Sequence, residues 1–471
     1  MLLFLVAFVI GGTGALLAED YEGLGEEFND VKDVLKKMKG PIPDPFQNIY
    51  PSWTPTPVDI RDSGPPLILS DLEPGVARSA AKVTGPLGEV EGYSGFVTVE
   101  PKYNSSLYFW YFPSKKGAEN SPLILWLQGG PGASSLFGMF TEIGPYEVVG
   151  EKLQKRKISW HEDYSLLFID SPVGTGFSFT DDEDGYRTNQ KDVAKDLHTA
   201  LQQFFRIFQE LRSRPFFITG ESYAGKHIPS LALEIHLRNQ EMKNEINLKG
   251  FAIGNPFINP PENLQFSQFC YPLGLCDTPT RRTMLRMEKA TEYLLKQENF
   301  VQAHGLMSMN LHLLMTNSNF TNIYNILHPH ENTLSADFVE YVQSAEARTS
   351  LHVGDAEYSG ILPVYRRLIP DFMKSGLEFL NPLLGQYPIL LYSGHMDIIV
   401  WYGFTRQVVE SLSGPCPHRS WMVDGKFAGY RHKCGHLEFA LVHAAGHMVP
   451  TDRPEAAKDL IDDFISRALN Q

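Results

Sequence analysis

The segment Pro215-Phe216-Phe217-Ile218-Thr219-Gly220-Glu221-Ser222-Tyr223-Ala224-Gly225 restricts most strongly what this chain can fold into. An apolar β-type run stops at Gly220, and the small residues Ala224 and Gly225 leave room for a helix to start. A serine at the tip of such a strand-to-helix turn is exposed, and the new helix aims free backbone N–H groups at the same point. The pattern departs from the usual G-x-S-x-G elbow, because Ala224 stands where the second glycine belongs and Gly225 comes one later. Taken alone, the segment equally fits an ordinary strand-turn-helix with a serine cap.

Two later segments complete a constellation. Pro388-Ile389-Leu390-Leu391-Tyr392-Ser393-Gly394 reads as a buried strand, and Asp397 follows it. Leu437 to Val442 is another apolar run, and His447 comes after it in Ala444-Ala445-Gly446-His447-Met448-Val449-Pro450. Ser222, then Asp397, then His447, the acid and base just beyond strand ends, is the chain order of an α/β-hydrolase triad. A fourth segment supplies what a nucleophile needs nearby. The strand Leu123 to Leu127 runs into Gln128-Gly129-Gly130-Pro131-Gly132-Ala133-Ser134-Ser135. Glycines there let the backbone approach a substrate and turn N–H groups inward, as an oxyanion hole requires. No G-K-[ST] follows, which argues against a phosphate-binding loop.

Four segments carry a family resemblance: Trp126 to Ser135, Asp170 to Phe179 (Asp-Ser-Pro-Val-Gly-Thr-Gly-Phe-Ser-Phe), Gly220 to Pro229, and Gly446 to Pro450. They resemble those of the serine carboxypeptidases, and their wording is most similar to the vitellogenic-like members, which have Gln before Gly-Gly-Pro-Gly where many relatives have Asn. The resemblance runs from about Val90 to the C-terminus and is weaker in the middle. It implies an α/β-hydrolase fold, a mostly parallel central sheet flanked by helices with a helical cap insertion. It also implies a serine-type carboxypeptidase that releases C-terminal residues from peptides and needs no cofactor.

In the chemistry this implies, His447 takes the proton of Ser222 as its hydroxyl attacks a carbonyl, and Asp397 fixes the imidazole tautomer. The backbone N–H groups of Gly130 and Tyr223 match the family's oxyanion hole. Positions matching the family's site for a free terminal carboxylate are Gln128, Gly129, Glu142 and Glu221. Two acids close together cannot both ionise easily, so one pKa rises and a shared proton becomes available to the substrate. That implies activity favoured at acid pH, limited from below by the need for a neutral His447. Met448, Phe137, Tyr223 and Ile399 are similar in placement to family positions that line the substrate pockets. Three positions depart from the common pattern: Gln128, Ala133 in place of a cysteine, and His227 where tyrosine is common.

Composition sets the remaining bounds. A net charge of −14 argues against nucleic acid as a partner. The histidines show no H-E-x-x-H spacing and the cysteines no zinc arrangement, so a metallocarboxypeptidase is disfavoured. Met1 to Ala18 reads as a secretory signal, with an apolar Leu2 to Ile10 and small-residue cleavage sites after Ala15 and Ala18. Its apolar stretch is short for a bilayer span and acidic residues follow at once, so no membrane anchor is expected. The expected location is secreted or lysosomal. In that setting Asn104-Ser105-Ser106 and Asn319-Phe320-Thr321 are glycosylation acceptors. Cys270, Cys276, Cys416 and Cys434 allow three pairings, of which the local pairs are the simplest.

Along the chain the expected organisation is a signal at 1–18 and an N-terminal extension or pro-segment at 19–80, proline-dense from Gly40 to Pro66. A first part of the hydrolase core follows at 81–254, a helical cap at 255–351, and the second part of the core at 352–471. Asp192 to Leu211 carries apolar residues at helical spacing, and Pro454 to Leu469 reads as a closing amphipathic helix. The β-rich body is expected to resume before Pro388. Two other functions stay open: an acyltransferase of the same fold, and a catalytically retired binding or protective protein. Retention of all three triad residues weighs against the second. The sequence leaves a homodimer open.

Overall fold

The computed structural model describes residues 64–150, 152–241, 245–260, 264–330 and 337–470. The signal reading at 1–18 and residues 19–63 of the extension lie outside the described residues. The strands are β1 (Tyr93–Glu100), β2 (Ser105–Phe112), β3 (Leu123–Leu127), β4 (Tyr146–Val149), β5 (Lys152–Lys155), β6 (Ser165–Ile169), β7 (Phe216–Glu221), β8 (Leu248–Gly254), β9 (Ile389–Gly394), β10 (His418–Val423), β11 (Lys426–Cys434) and β12 (Leu437–Val442).

Ten strands form one sheet in the order β1-β2-β6-β3-β7-β8-β9-β12-β11-β10, and β4 pairs with β5 in a separate hairpin. The middle of the sheet, β6-β3-β7-β8-β9-β12, is parallel throughout. Antiparallel strands extend both edges. Parallel strands need crossover helices, which cover both faces, so the strands read as unbroken apolar runs. In β7 every residue is buried. Phe217 packs into the core on one side of the sheet, and Phe216 and Ile218 into the core on the other. This is the α/β-hydrolase arrangement expected from the motif order.

The helix Gln190–Ile207 is capped by the Asn189 side chain, which accepts from the Asp192 N–H. It buries Val193, Leu197, Leu201 and Phe204 against one sheet face. The closing helix Pro454–Leu469 buries Leu460, Ile461, Phe464 and Ile465 on the other. Between β8 and β9 the described elements are all helical, notably Thr278–Lys296, Phe300–Ser318 and Leu362–Phe372. The expectation that the β-rich body resumes before Pro388 is corrected here. Helix Leu362–Phe372 and two short turns occupy that stretch, and β9 starts only at Ile389.

Both local cysteine pairs are bonded, Cys270–Cys276 and Cys416–Cys434, with Cα atoms 5.5 Å and 5.6 Å apart. The end of the extension is anchored to the body, since the Leu69 N–H donates to Phe96 O and the Phe96 N–H to Leu67 O. Among the described residues, no helix is long and apolar enough to cross a membrane.

Candidate active site

The carboxyl ends of the parallel strands gather every polar group singled out in the core motifs. Gln128 follows β3, Asp170 follows β6, Ser222 follows β7, Asp397 lies beyond β9 and His447 beyond β12. This edge of an open parallel sheet is where binding crevices form.

Ser222 occupies the left-handed region, at φ 62°, in a turn that only tertiary bonds can hold. Its N–H donates to Gly254 O, and its carbonyl accepts from Gly225 and Phe257, each at 2.9 Å. The helix Ala224–Glu241 departs directly from that turn. Gly129 packs onto it so closely that a Cβ there would lie 2.7 Å from Ser222 Cβ and 2.8 Å from the Tyr223 nitrogen. That contact explains the glycine and sets the 128–135 loop beside the start of the helix.

His447 Nδ1 lies 2.8 Å from Asp397 Oδ2, and both side chains are buried. The carboxylate is fully engaged. Oδ1 accepts the N–H groups of Ile399 and Val400 at 2.9 Å and 3.2 Å, and Oδ2 also accepts Asn255 Nδ2 at 2.6 Å. Sequence reading passed over Asn255. It stands one residue past β8 with φ 42°, and its Oδ1 accepts the Gly394 N–H at 3.3 Å. The available signal was its place at the end of the apolar run Phe251 to Ile253, level with the other site residues.

A cap segment joins the turns that carry Asp397 and His447. Ile323 O accepts the N–H groups of Ile398 and Ile399, Ile326 N donates to Met396 O, and the His447 N–H donates to Tyr324 O at 2.7 Å. A Cβ at Gly446 would collide with Tyr324 O, which is why the base turn carries a glycine. Asp452 Oδ2 accepts the Gly446 N–H at 2.6 Å and Asn325 Nδ2 at 3.0 Å. Neither Asn325 nor Asp452 stood out in the sequence.

Gln128 forms the centre of a buried acidic cluster. Its Oε1 accepts Trp126 Nε1 at 2.7 Å, and its Nε2 donates to Glu221 Oε1 at 2.7 Å and reaches Glu142 Oε1 at 3.4 Å. Glu142 and Glu221 are 1% and 2% exposed, and each lies close enough to shift the titration of the other. Neither second oxygen, Glu142 Oε2 or Glu221 Oε2, has an N–H or O–H donor. Burial raises Glu142 to about 7 and, with the Glu142 charge beside it, lifts Glu221 well above the ordinary carboxylate range.

Asp170 ties the glycine-rich loop to the sheet, accepting Ser134 Oγ at 2.6 Å, the Ser135 N–H at 2.9 Å and the Phe177 N–H at 3.0 Å. Burial pushes this carboxyl up to about 6.

Two clefts meet at Gly130 and Ser222. One is bordered by Gln128, Gly129, Glu221, Phe137, His447 and Met448. Glu142 sits behind Gln128 rather than on its wall. The other is apolar, with Tyr223, Phe257, Met307, Leu311, Phe372 and Ile399 around it. Ser222, Asp397, His447, Gln128, Gly129, Gly130, Tyr223, Glu142, Glu221 and Met448 are therefore assembled in one region. Asn104 and Asn319 lie elsewhere, both exposed and both in left-handed turns. Among the described residues no group of three or more His, Cys, Asp or Glu could hold a metal ion.

Residues 82–467 match the serine carboxypeptidase family model. The chain is 39% identical to the venom serine carboxypeptidase of Apis mellifera, over 89% of this chain and 95% of that one. It is 37% identical to the vitellogenic carboxypeptidase of Aedes aegypti, over 86% and 90%. The structure of a prohormone-processing carboxypeptidase from Saccharomyces cerevisiae superposes with a TM-score of 0.74 at 25% identity, over 83% of this chain and 96% of that one. The chain belongs to the serine carboxypeptidase family and is a serine-type peptidase acting at the C-termini of peptides.

Proposed function

We propose that Ser222 is the nucleophile, His447 its general base and Asp397 the acid that orients the imidazole. The observation that carries this reading is the 2.8 Å contact between His447 Nδ1 and Asp397 Oδ2, with His447 and Ser222 bordering one cleft. An Nδ1–H donated to Asp397 leaves Nε2 as the base, and three N–H donors hold the carboxylate in place. The alkoxide of the tetrahedral intermediate is received by the N–H groups of Gly130 and Tyr223, at the point where both clefts meet. Each such donor is worth about 3 kcal/mol of barrier.

The meeting point also sorts the substrate. The terminal carboxylate enters the cleft of Gln128, Gly129 and Glu221, and the leaving residue lies between Phe137 and Met448. The residue on the acyl side then falls in the apolar cleft of Phe257, Phe372 and Ile399. A proton shared by Glu142 and Glu221 satisfies their remaining oxygens and lets the pair donate to a carboxylate. Burial raises both carboxyls, so the proton is bound at acid pH and its loss as pH rises makes exopeptidase activity an acid-pH activity. The preference is for hydrophobic residues on both sides of the scissile bond. The leader-like N-terminus and the exposed Asn104 and Asn319 support passage through the secretory pathway to a secreted or lysosomal location.

An organophosphonate distinguishes the nucleophile. Labelling is expected at Ser222 alone, and Ser222→Ala is expected to lose both the label and peptide turnover. Unchanged labelling of the variant would refute the assignment.

A further inference from the structure

The helix that leaves Ser222 buries a charge on its first turn. Lys226 is 1% exposed, and its Nζ donates to the backbone carbonyls of Asp371 at 2.6 Å and Phe372 at 2.8 Å. Those carbonyls end the helix Leu362–Phe372, where the helix dipole favours a cation. The Asp371 carboxylate lies 4.0 Å from the ammonium and accepts Gln190 Nε2 at 3.0 Å. Gln190 reaches both neighbours of the nucleophile turn. Its Nε2 donates to the Tyr223 hydroxyl at 3.3 Å, and its Oε1 lies 2.8 Å from His227 Nδ1. The ring of Phe372 sits 5.1 Å from Tyr223 and 4.9 Å from Phe257, and all three border the apolar cleft.

Packing alone does not account for a lysine here. An unbranched apolar side chain fills similar space without desolvating an ammonium, and such replacements of buried charge are often neutral or stabilising. What the lysine adds is a pair of directed hydrogen bonds spanning the nucleophile helix and the residue that closes the cleft.

We propose that Lys226 is a positioning residue that sets selectivity for the acyl-side residue, by holding Phe372 against Tyr223 as the end wall of the apolar cleft. The proposal rests on the acyl-side assignment of that cleft. With the wall fixed, a large ring makes contacts that a small side chain cannot. With the tie released, Phe372 is held less closely and the two are told apart less well. The charged groups facing the ammonium are Asp371 and Glu378, which favour it, and Lys374 and the neighbouring His227, which is held neutral by burial. The Tyr223 ring lies 5.5 Å away. Burial brings the lysine down to about 7, so the ammonium is complete at acid pH and is lost as pH rises through that value.

The test compares kcat/KM for two peptides that share a leaving residue and carry Phe or Ala on the acyl side. A second pair varies only the leaving residue. Within each pair the ratio cancels the pH dependence of the base and of the carboxylate clamp. In Lys226→Met the Phe-to-Ala ratio is expected to fall about tenfold, the scale on which apolar pockets discriminate. In Lys226→Gln, whose shorter amide keeps N–H donors without the reach of the lysine, the ratio is expected to fall less than in Lys226→Met. The leaving-residue ratio should hold in both cases. A Phe-to-Ala ratio unchanged in folded Lys226→Met overturns the proposal. If that variant does not fold, a ratio unchanged in folded Lys226→Gln overturns it. A change confined to the leaving-residue pair overturns the acyl-side assignment, and this proposal with it.

Discussion

Two ionised glutamates at the back of a cleft repel an anion, and the carboxylate site proposed at Glu142 and Glu221 depends on their being dry. Burial is the largest influence on each, and it favours the neutral acid. The sign follows directly. A carboxyl raised to about 7 holds its proton in the folded enzyme at pH values where the unfolded chain has lost it. Its contribution is therefore complete below the ordinary carboxyl range and disappears as pH climbs through 7. Glu142→Gln replaces the shared proton with a permanent amide donor. For peptides with a free C-terminus, kcat/KM at acid pH is expected to fall about tenfold, the scale of a disturbed charge-assisted hydrogen bond. KM should also lose most of its rise towards neutral pH. A C-terminally amidated substrate should change little, and equal effects on both substrates would remove the glutamates from carboxylate binding. Asn255 teaches the complementary lesson. Nothing in its sequence surroundings names a partner, yet its amide bridges Asp397 and Gly394. Residues whose work is to orient another side chain show no motif of their own.

At the scale of elements, the cap does more than cover the cleft. Its segment Asn322 to Ile326 hydrogen-bonds to the turn bearing Asp397 and to His447 itself, holding the two in register. Asp452 closes the arrangement by taking N–H donors from the base turn and from Asn325. Asp452→Ala leaves those donors without their acceptor, at about 1–3 kcal/mol of stability. A small displacement of the imidazole should lower kcat about tenfold or more with little change in KM. Thermal unfolding and steady-state kinetics on a peptide and an ester would check both effects. An unchanged kcat in a destabilised variant would show that the strap stabilises without positioning. The helical character of the insertion was legible in its composition. That it supplies the backbone acceptor for His447 was not, because a backbone carbonyl has no sequence signature.

For the molecule as a whole, the acidic balance, the leader-like N-terminus and the two acceptor triplets bear on where it works. Asn104 and Asn319 are exposed on turns, with Asn104 Nδ2 2.9 Å from Asp181 Oδ2. Expressed in a eukaryotic cell, the protein is expected to begin at Leu16 or Glu19 and to lose mass with an endoglycosidase. Loss of one acceptor by Asn319→Gln should remove one glycan's mass, and an intact Met1 without glycan would contradict secretory entry. The sequence by itself determined the parallel sheet and the order of its catalytic loops. Buried strands must be continuous apolar runs, and residues just beyond their ends must be polar and special in backbone shape. It also named the pair of local disulfides as the simplest choice, because short separations leave little chain to arrange. Only the tertiary structure decided which carboxyl groups are buried side by side, which carbonyls receive Lys226 and His447, and how the two clefts meet at Ser222. Those outcomes depend on burial and on distances between segments far apart in the chain, and local composition does not encode either.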